Sequence, residues 1–313
     1  MNPFALPAGL FLKSRRGAPA ARQRHHGEEL AALFPPLLLA AERVAATVAQ
    51  GVHGRRRVGR GDAFWQFRQF QPGDAAARID WRESAKSDRL YVRESEWEAA
   101  QSVWLWRDAS ASMAYSSCED LAAGAWPAKL ERAELLLLAL ASLLLRGGEE
   151  VALLGGGPLP SSGERALLRL AERLSPGLLP AEGLPSFEPL PRAAELILFG
   201  DFLAPLYEVE AALGRFAAAG VKGHILEIAD PAEEDLPFSG RVRFCGIEEG
   251  DEVLFGRVEA VRKEYAERFR RHRQGLLALA RAFGWGFGFH RTDRPPQLAL
   301  LSLYNALSQK GRG

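Results

Sequence analysis

An aspartate and two serines at alternate positions, Asp108-Ala109-Ser110-Ala111-Ser112, can turn three oxygen ligands toward one point. Oxygen donors of this kind, mostly neutral, suit a hard divalent cation such as Mg²⁺ or Mn²⁺. Such an ion keeps several waters and leaves a position for a carboxylate brought by a partner. The same residue types also favour a strand-to-helix turn, because Asp and Ser side chains bond nearby backbone N–H groups. A second acid, Asp201, follows Gly200 at the end of the apolar run Leu196–Phe199. The candidate metal set is therefore Asp108, Ser110 and Ser112, with Asp201 assisting directly or through water. Two carboxylates and two hydroxyls leave several positions to water, so weak affinity is expected.

The elements that must position these residues follow from hydrophobic patterning. Val103-Trp104-Leu105-Trp106 reads as a buried strand that delivers Asp108 at its carboxyl end. Further strands are expected at Val151–Leu154, Leu196–Phe199, Gly223–Ile228 and Trp285–His290. Helices are expected at Lys129–Arg146, Glu164–Leu174, Leu206–Ala219, Val258–Phe283 and Gln297–Ser308. Arg241–Cys245 and Val253–Gly256 read as a hairpin. Strands that alternate with helices imply an α/β fold with a mostly parallel central sheet flanked by helices. In such sheets ligands bind outside the carboxyl ends of the strands, where both Asp108 and Asp201 fall.

Composition excludes several classes. Hydrophobic residues make up 47% and charged residues 25% of the 313, with a net charge of +1. Those are the proportions of an ordinary globular protein, without a global pull toward nucleic acid or membrane. Cys118 and Cys245 form neither a disulfide framework nor a zinc pattern. The apolar stretch Leu135–Leu145 is too short for a bilayer, which needs about 20 residues. The first 30 residues lack an apolar core with a small-residue cleavage site, so a cytoplasmic location is expected.

Three regions are expected along the chain. Residues 1–50 form an N-terminal extension, partly helical or loose, with Pro35-Pro36 dividing two helical pieces. Residues 51–98 form a small β-rich attachment, with short extended pieces at Phe64–Phe70, Arg78–Trp81 and Leu90–Arg93. Residues 99–313 form the α/β domain. Within 54–93, ten Lys and Arg face five acids and are interleaved with Phe64, Trp65, Phe67, Phe70, Trp81 and Tyr91. That pattern admits single-stranded nucleic acid, through phosphate contacts and base stacking. It equally admits the core of a small sheet laced with salt bridges. The tripeptide Arg60-Gly61-Asp62 is read as coincidence.

The order of these elements, with Asp108-x-Ser110-x-Ser112 and the later Asp201, resembles a von Willebrand factor type A domain. The stretch from Gly59-Arg60-Gly61-Asp62 to Ser112-Met113 resembles the family called domain of unknown function 58. It carries Phe70-Gln71-Pro72-Gly73-Asp74, Arg78-Ile79-Asp80-Trp81, Ser84-Ala85 and Leu90-Tyr91-Val92-Arg93-Glu94. The resemblance covers residues 50–310. It implies a type A fold and a bacterial scaffold or adaptor that works beside a MoxR-type AAA+ ATPase. One departure stands out. Type A metal sites usually take a third hydroxyl from a threonine on a loop between the second helix region and the strand that bears the second Asp, and the threonines here, Thr47 and Thr292, lie elsewhere. Ser161, Ser162, Ser186 or a water is expected to substitute.

The function expected is a non-enzymatic interaction protein with a metal-ion-dependent adhesion-like site and no membrane span. A hydrolase built on Ser110 or Ser112 with a histidine is the weaker rival, since no Gly-x-Ser-x-Gly elbow or Walker-type loop accompanies them. Nucleic-acid binding through 54–93 is the third class.

Overall fold

The computed structural model describes residues 10–11, 37–50, 64–71, 79–86, 89–95, 102–118, 126–157, 159–175, 177–179, 181–191, 194–246 and 252–310. The chain divides into two compact units, Met1–His53 with Gln101–Gly313, and Gly54–Ala100.

In the larger unit, five strands form a parallel sheet: β4 (Ser102–Arg107), β5 (Glu150–Leu153), β6 (Glu195–Gly200), β7 (Lys222–Ala229) and β10 (Gly286–Arg291). Their order across the sheet is β10-β7-β6-β4-β5, every pairing parallel. Strands β4 and β6 are apolar almost throughout and nearly wholly buried, as strands covered on both faces must be. Alternation along β4 sends Val103 and Leu105 to one face and Trp104 and Trp106 to the other.

The first face is covered by α3 (Lys129–Arg146), α4 (Glu164–Arg173), α8 (Pro296–Lys310) and a helix over residues 37–50, α1. Helix α1 enters this core through Ala41, Val44, Ala45 and Val48, a three-four spacing that makes one apolar stripe. Its Glu42 accepts from Ser142 Oγ of α3 at 2.8 Å and pairs with Arg146. The second face is covered by α5 (Leu206–Ala218) and α7 (Arg262–Ala282), packed with Phe202 and Trp285. A small antiparallel sheet of β1 (Leu10–Phe11), β8 (Val242–Gly246) and β9 (Glu252–Phe255) lies apart from the main one, with Phe244 buried against Leu236 and Val258.

The helix expected over Val258–Phe283 is broken near its start. Val258–Ala260 form a 3₁₀ turn and α7 begins at Arg262. The reason is local: Val258 is drawn into the core with Phe244, and its N–H bonds the Gly240 carbonyl at 3.0 Å.

In the smaller unit, β2 (Phe64–Gln69) and β3 (Tyr91–Ser95) pair antiparallel, with an irregularity between Phe64 and Gln66. The extended piece expected over Arg78–Trp81 is confined, among the described residues, to a single bridge from Ile79 to Val92. Trp81–Ser84 instead make a helical turn, α2. Asp80 causes the change: its N–H bonds Tyr91 O at 2.9 Å while its carbonyl takes Ser84 N–H at 3.0 Å. Ser84 Oγ then accepts from Tyr91 N–H at 2.8 Å. The arginines at 55–57, Arg60-Gly61-Asp62 and Pro72–Arg78 lie outside the described residues. So does the expected first helical piece before residue 37.

Candidate metal centre

The chain leaves β4 toward β5 on one side, then returns past β4 to β6 on the other. The connections that follow β4 and β6 therefore diverge, and a crevice opens between the carboxyl ends of these strands. Asp108 follows β4 and Asp201 follows β6, so both acids stand at this crevice. Each is almost completely buried.

Their side chains are joined through the two serines. Asp108 Oδ1 accepts from Ser110 N–H at 2.8 Å and lies 2.5 Å from Ser110 Oγ. Ser110 Oγ lies 3.0 Å from Ser112 Oγ, which lies 2.6 Å from Asp201 Oδ2. All four residues expected from the sequence thus meet in one continuous file of oxygens. Ser112 is buried, whereas Ser110 is half-buried and Ala111 exposed, so the file is reached from the Ser110 side. Oxygens in adjacent positions around Mg²⁺ lie about 3.0 Å apart, given a metal–oxygen distance of about 2.1 Å, and the serine pair matches that spacing. Among the described residues no three His, Cys, Asp or Glu side chains converge as a metal-ligand group. The hydroxyls are therefore needed to complete any such set.

One glycine makes the close approach possible, and a second lines the flank of the site. A Cβ on Gly200 would lie 2.7 Å from Asp108 Cβ, so any side chain there would displace the acid. A Cβ on Gly183 would lie 3.4 Å from Ser110 Cβ and 4.0 Å from Asp108 Oδ1. The segment Glu182-Gly183 is fastened there by the bond from Ala109 N–H to Glu182 O at 3.1 Å. The flank where a third hydroxyl was expected is thus lined by a residue without a side chain. The serines expected to substitute are used elsewhere. Ser161 pairs with Val151, near the opposite end of the sheet, and accepts from Arg169. Ser186 is exposed and donates to Glu182 Oε2 at 2.8 Å. Ser162 is exposed on the loop next to Ser161.

Three residues that the sequence reading passed over complete the site. Lys129, first in α3 and wholly buried, donates from Nζ to Asp201 Oδ2 at 2.7 Å and also pairs with Glu233. Glu233 accepts from Asp230 N–H at 2.8 Å, closing a capping box on α6 (Pro231–Asp235). Asp230, which follows β7, accepts from Ala232 N–H at 2.8 Å, Ser117 N–H at 2.9 Å, Trp126 Nε1 at 3.1 Å, and Ser117 Oγ. One signal for Lys129 was present in the sequence: it stands on the same helical stripe as Ala133, Leu136, Leu137 and Leu140, all buried.

Electrostatics differ sharply between the two acids. Burial, with the Asp201 carboxylate beside it, holds the Asp108 carboxyl well above its ordinary pKa. Burial also acts to raise Asp201, but the Lys129 ammonium and donors from Ser112 and Leu203 outweigh it and hold Asp201 below its ordinary value. Burial opposes the charge on Lys129, yet Asp201 and Glu233 overcome it and keep the ammonium charged. Glu233 itself is pushed up to about 7, first by burial and then by Asp201, against the pull of Lys129.

The loop bearing Asp201 is strained. Phe202 takes the left-handed conformation, with φ of 49°, although it is bulky and completely buried. Its carbonyl accepts from His272 Nε2 at 2.7 Å, which ties the loop to α7. His290, at the end of β10, lies against Arg132, which itself donates to Thr292 O and Arg294 O at 2.9 Å.

Comparison with known proteins places the chain. The uncharacterized proteins Rv1480 of Mycobacterium tuberculosis and Mb1516 of Mycobacterium bovis are each 26% identical over 283 residues, which is 85% of this chain and 86% of theirs. Among solved structures, the conserved hypothetical protein BatB from Bacteroides thetaiotaomicron overlaps 68% of this chain and 100% of its own, at 17% identity and a TM-score of 0.36. No helix among the described residues is long and apolar enough to cross a membrane. A family model described as protein of unknown function DUF58 matches residues 66–275, and the chain belongs to that family.

Proposed function

We propose that this is a non-enzymatic adaptor whose sheet edge carries a metal-ion-dependent adhesion-like site, in a von Willebrand factor type A-like domain. Asp108, Ser110 and Ser112 would hold a Mg²⁺ or Mn²⁺ ion, with Asp201 behind Ser112. The ion would supply a positive charge that a partner's acidic side chain completes. A MoxR-type AAA+ ATPase is the partner proposed, in the bacterial cytoplasm.

The observation that carries this reading is a shortage of protons. The file from Asp108 through Ser110 and Ser112 to Asp201 contains three oxygen–oxygen contacts of 3.0 Å or less. Two hydroxyls bring two protons. With both carboxylates ionised, one contact sets lone pair against lone pair, and one more positive charge is required. A proton on Asp108 supplies it, in keeping with that residue's raised pKa. A cation seated between the oxygens supplies it as well, and that exchange makes the site a cation-dependent docking point. The histidines bonded near the site serve the backbone and an arginine, His272 on Phe202 O and His290 on Arg132, which favours docking over acyl transfer.

The test is capture of the partner ATPase on immobilised protein, with Mg²⁺ and with chelator, for the wild type and Asp108→Ala. Capture is expected to fall at least about tenfold in chelator and in the variant, the order of a lost charge-paired contact. Capture that survives both treatments would move the interface away from this edge.

A further inference from the structure

We infer that the ammonium of Lys129 is the resident cation of this edge: fastened to Asp201 and Glu233, it confines any divalent ion to the Asp108–Ser110–Ser112 side and keeps its affinity low. The inference rests on the proposed cation site and adds the residue that sets its strength and selectivity.

The geometry carries it. Lys129 Nζ lies 2.7 Å from Asp201 Oδ2, the same oxygen that takes Ser112 Oγ at 2.6 Å. Asp201 Oδ1 accepts from Leu203 N–H at 3.3 Å. Both oxygens of Asp201 are therefore engaged, one of them twice, and direct ligation by Asp201 requires Lys129 or Ser112 to withdraw. Lys129 has nowhere to withdraw to. Its side chain is wholly buried, and Glu233 fixes its other flank while capping α6.

Placement against the helix dipole points the same way. Lys129 is the first residue of α3, where the positive end of the dipole disfavours a cation. An ammonium is stable there only because two carboxylates face it, as a buried charge demands. Those carboxylates are just the anions that would otherwise draw a divalent ion inward. Lys129 thus does for Asp201 and Glu233 what a metal would do, and its charge repels an ion seated on the neighbouring serines.

The wild-type chain, Lys129→Met and Lys129→Gln are titrated with Mn²⁺ by calorimetry, each also with Asp108→Ala, and melted in Mn²⁺ and in EDTA. Methionine keeps the shape without the charge, and glutamine keeps a donor for Asp201. The expected result is Mn²⁺ binding at least about tenfold tighter in both Lys129 variants than in the wild type. Their melting temperatures should be higher in Mn²⁺ than in EDTA by a wider margin than the wild type's, and Asp108→Ala should abolish that margin. A methionine variant that folds only when refolded in Mn²⁺ supports the inference equally. Variants that bind no tighter than the wild type, while Asp108→Ala still removes binding, overturn the role of Lys129 and leave the cation site standing. If neither the wild type nor any Lys129 variant binds millimolar Mn²⁺, the cation site and the inference both fall.

Discussion

At the residue scale, the candidate site is shaped where a side chain is missing. Gly200 exists to let Asp108 lie against β6, since a methyl group there would sit 2.7 Å from the acid's Cβ. Gly183 differs, because a Cβ there makes ordinary contacts and its backbone is not left-handed. A Cβ at 183 would stand 3.7 Å from Ser110 Oγ and 4.0 Å from Asp108 Oδ1, which brings a serine hydroxyl within reach of the file. Gly183→Ser is therefore expected to tighten Mn²⁺ binding several-fold, with a change in unfolding free energy of about 0.5 kcal/mol or less. Calorimetry and urea unfolding check both halves. Unchanged Mn²⁺ affinity in a normally folded variant would show that this flank does not face the ion.

At the element scale, Asp230 ties down Ser117 and Trp126, which lie between β4 and α3. That one carboxylate caps α6 and takes bonds from Ser117 and Trp126, residues more than a hundred positions away. Asp230→Ala removes the cap, worth about 1 kcal/mol, and strands buried donors at about 1–3 kcal/mol. The expected loss is about 2–4 kcal/mol in urea unfolding. A loss below about 0.5 kcal/mol would mean that Ser117 and Trp126 are held by other contacts. The strand positions and the parallel arrangement were legible before the fold was known, because runs such as Leu196–Phe199 cannot be exposed on either face. The turn at Trp81–Ser84 was not, since it arises from bonds that Asp80 and Ser84 each make to Tyr91, eleven and seven residues away.

At the scale of the whole molecule, stability carries a pH signature. Glu134, Glu227 and Glu233 are each raised from 4.5 to about 7, with burial the largest cause in every case. Between those values the folded chain holds protons that the unfolded chain has released, so stability falls as pH rises. His290 is lowered from 6.5 to about 4, first by burial and then by Arg132, and acts with the opposite sign. The three glutamates, joined by the raised Asp108, oppose His290, and the protein should unfold at lower urea at pH 7.5 than at pH 5. Glu134→Gln should shrink that difference. Stability that rises over the same interval would show the buried glutamates to be ionised throughout.

The sequence by itself determined the local chemistry: Asp108, Ser110 and Ser112 share one turn because alternate residues leaving a strand bend toward one point. It also determined that Asp201 ends a buried strand, through the apolar run that precedes it. Only the tertiary structure decided that β4 and β6 are neighbours, with β5 on the far side, and so that the two acids meet. Lys129 and Glu233 came to the same point from 72 residues before Asp201 and 104 residues beyond Lys129. The cause is sheet order. Which strand ends adjoin depends on how the helices share the two faces, a property of the packed whole that no short stretch of chain records.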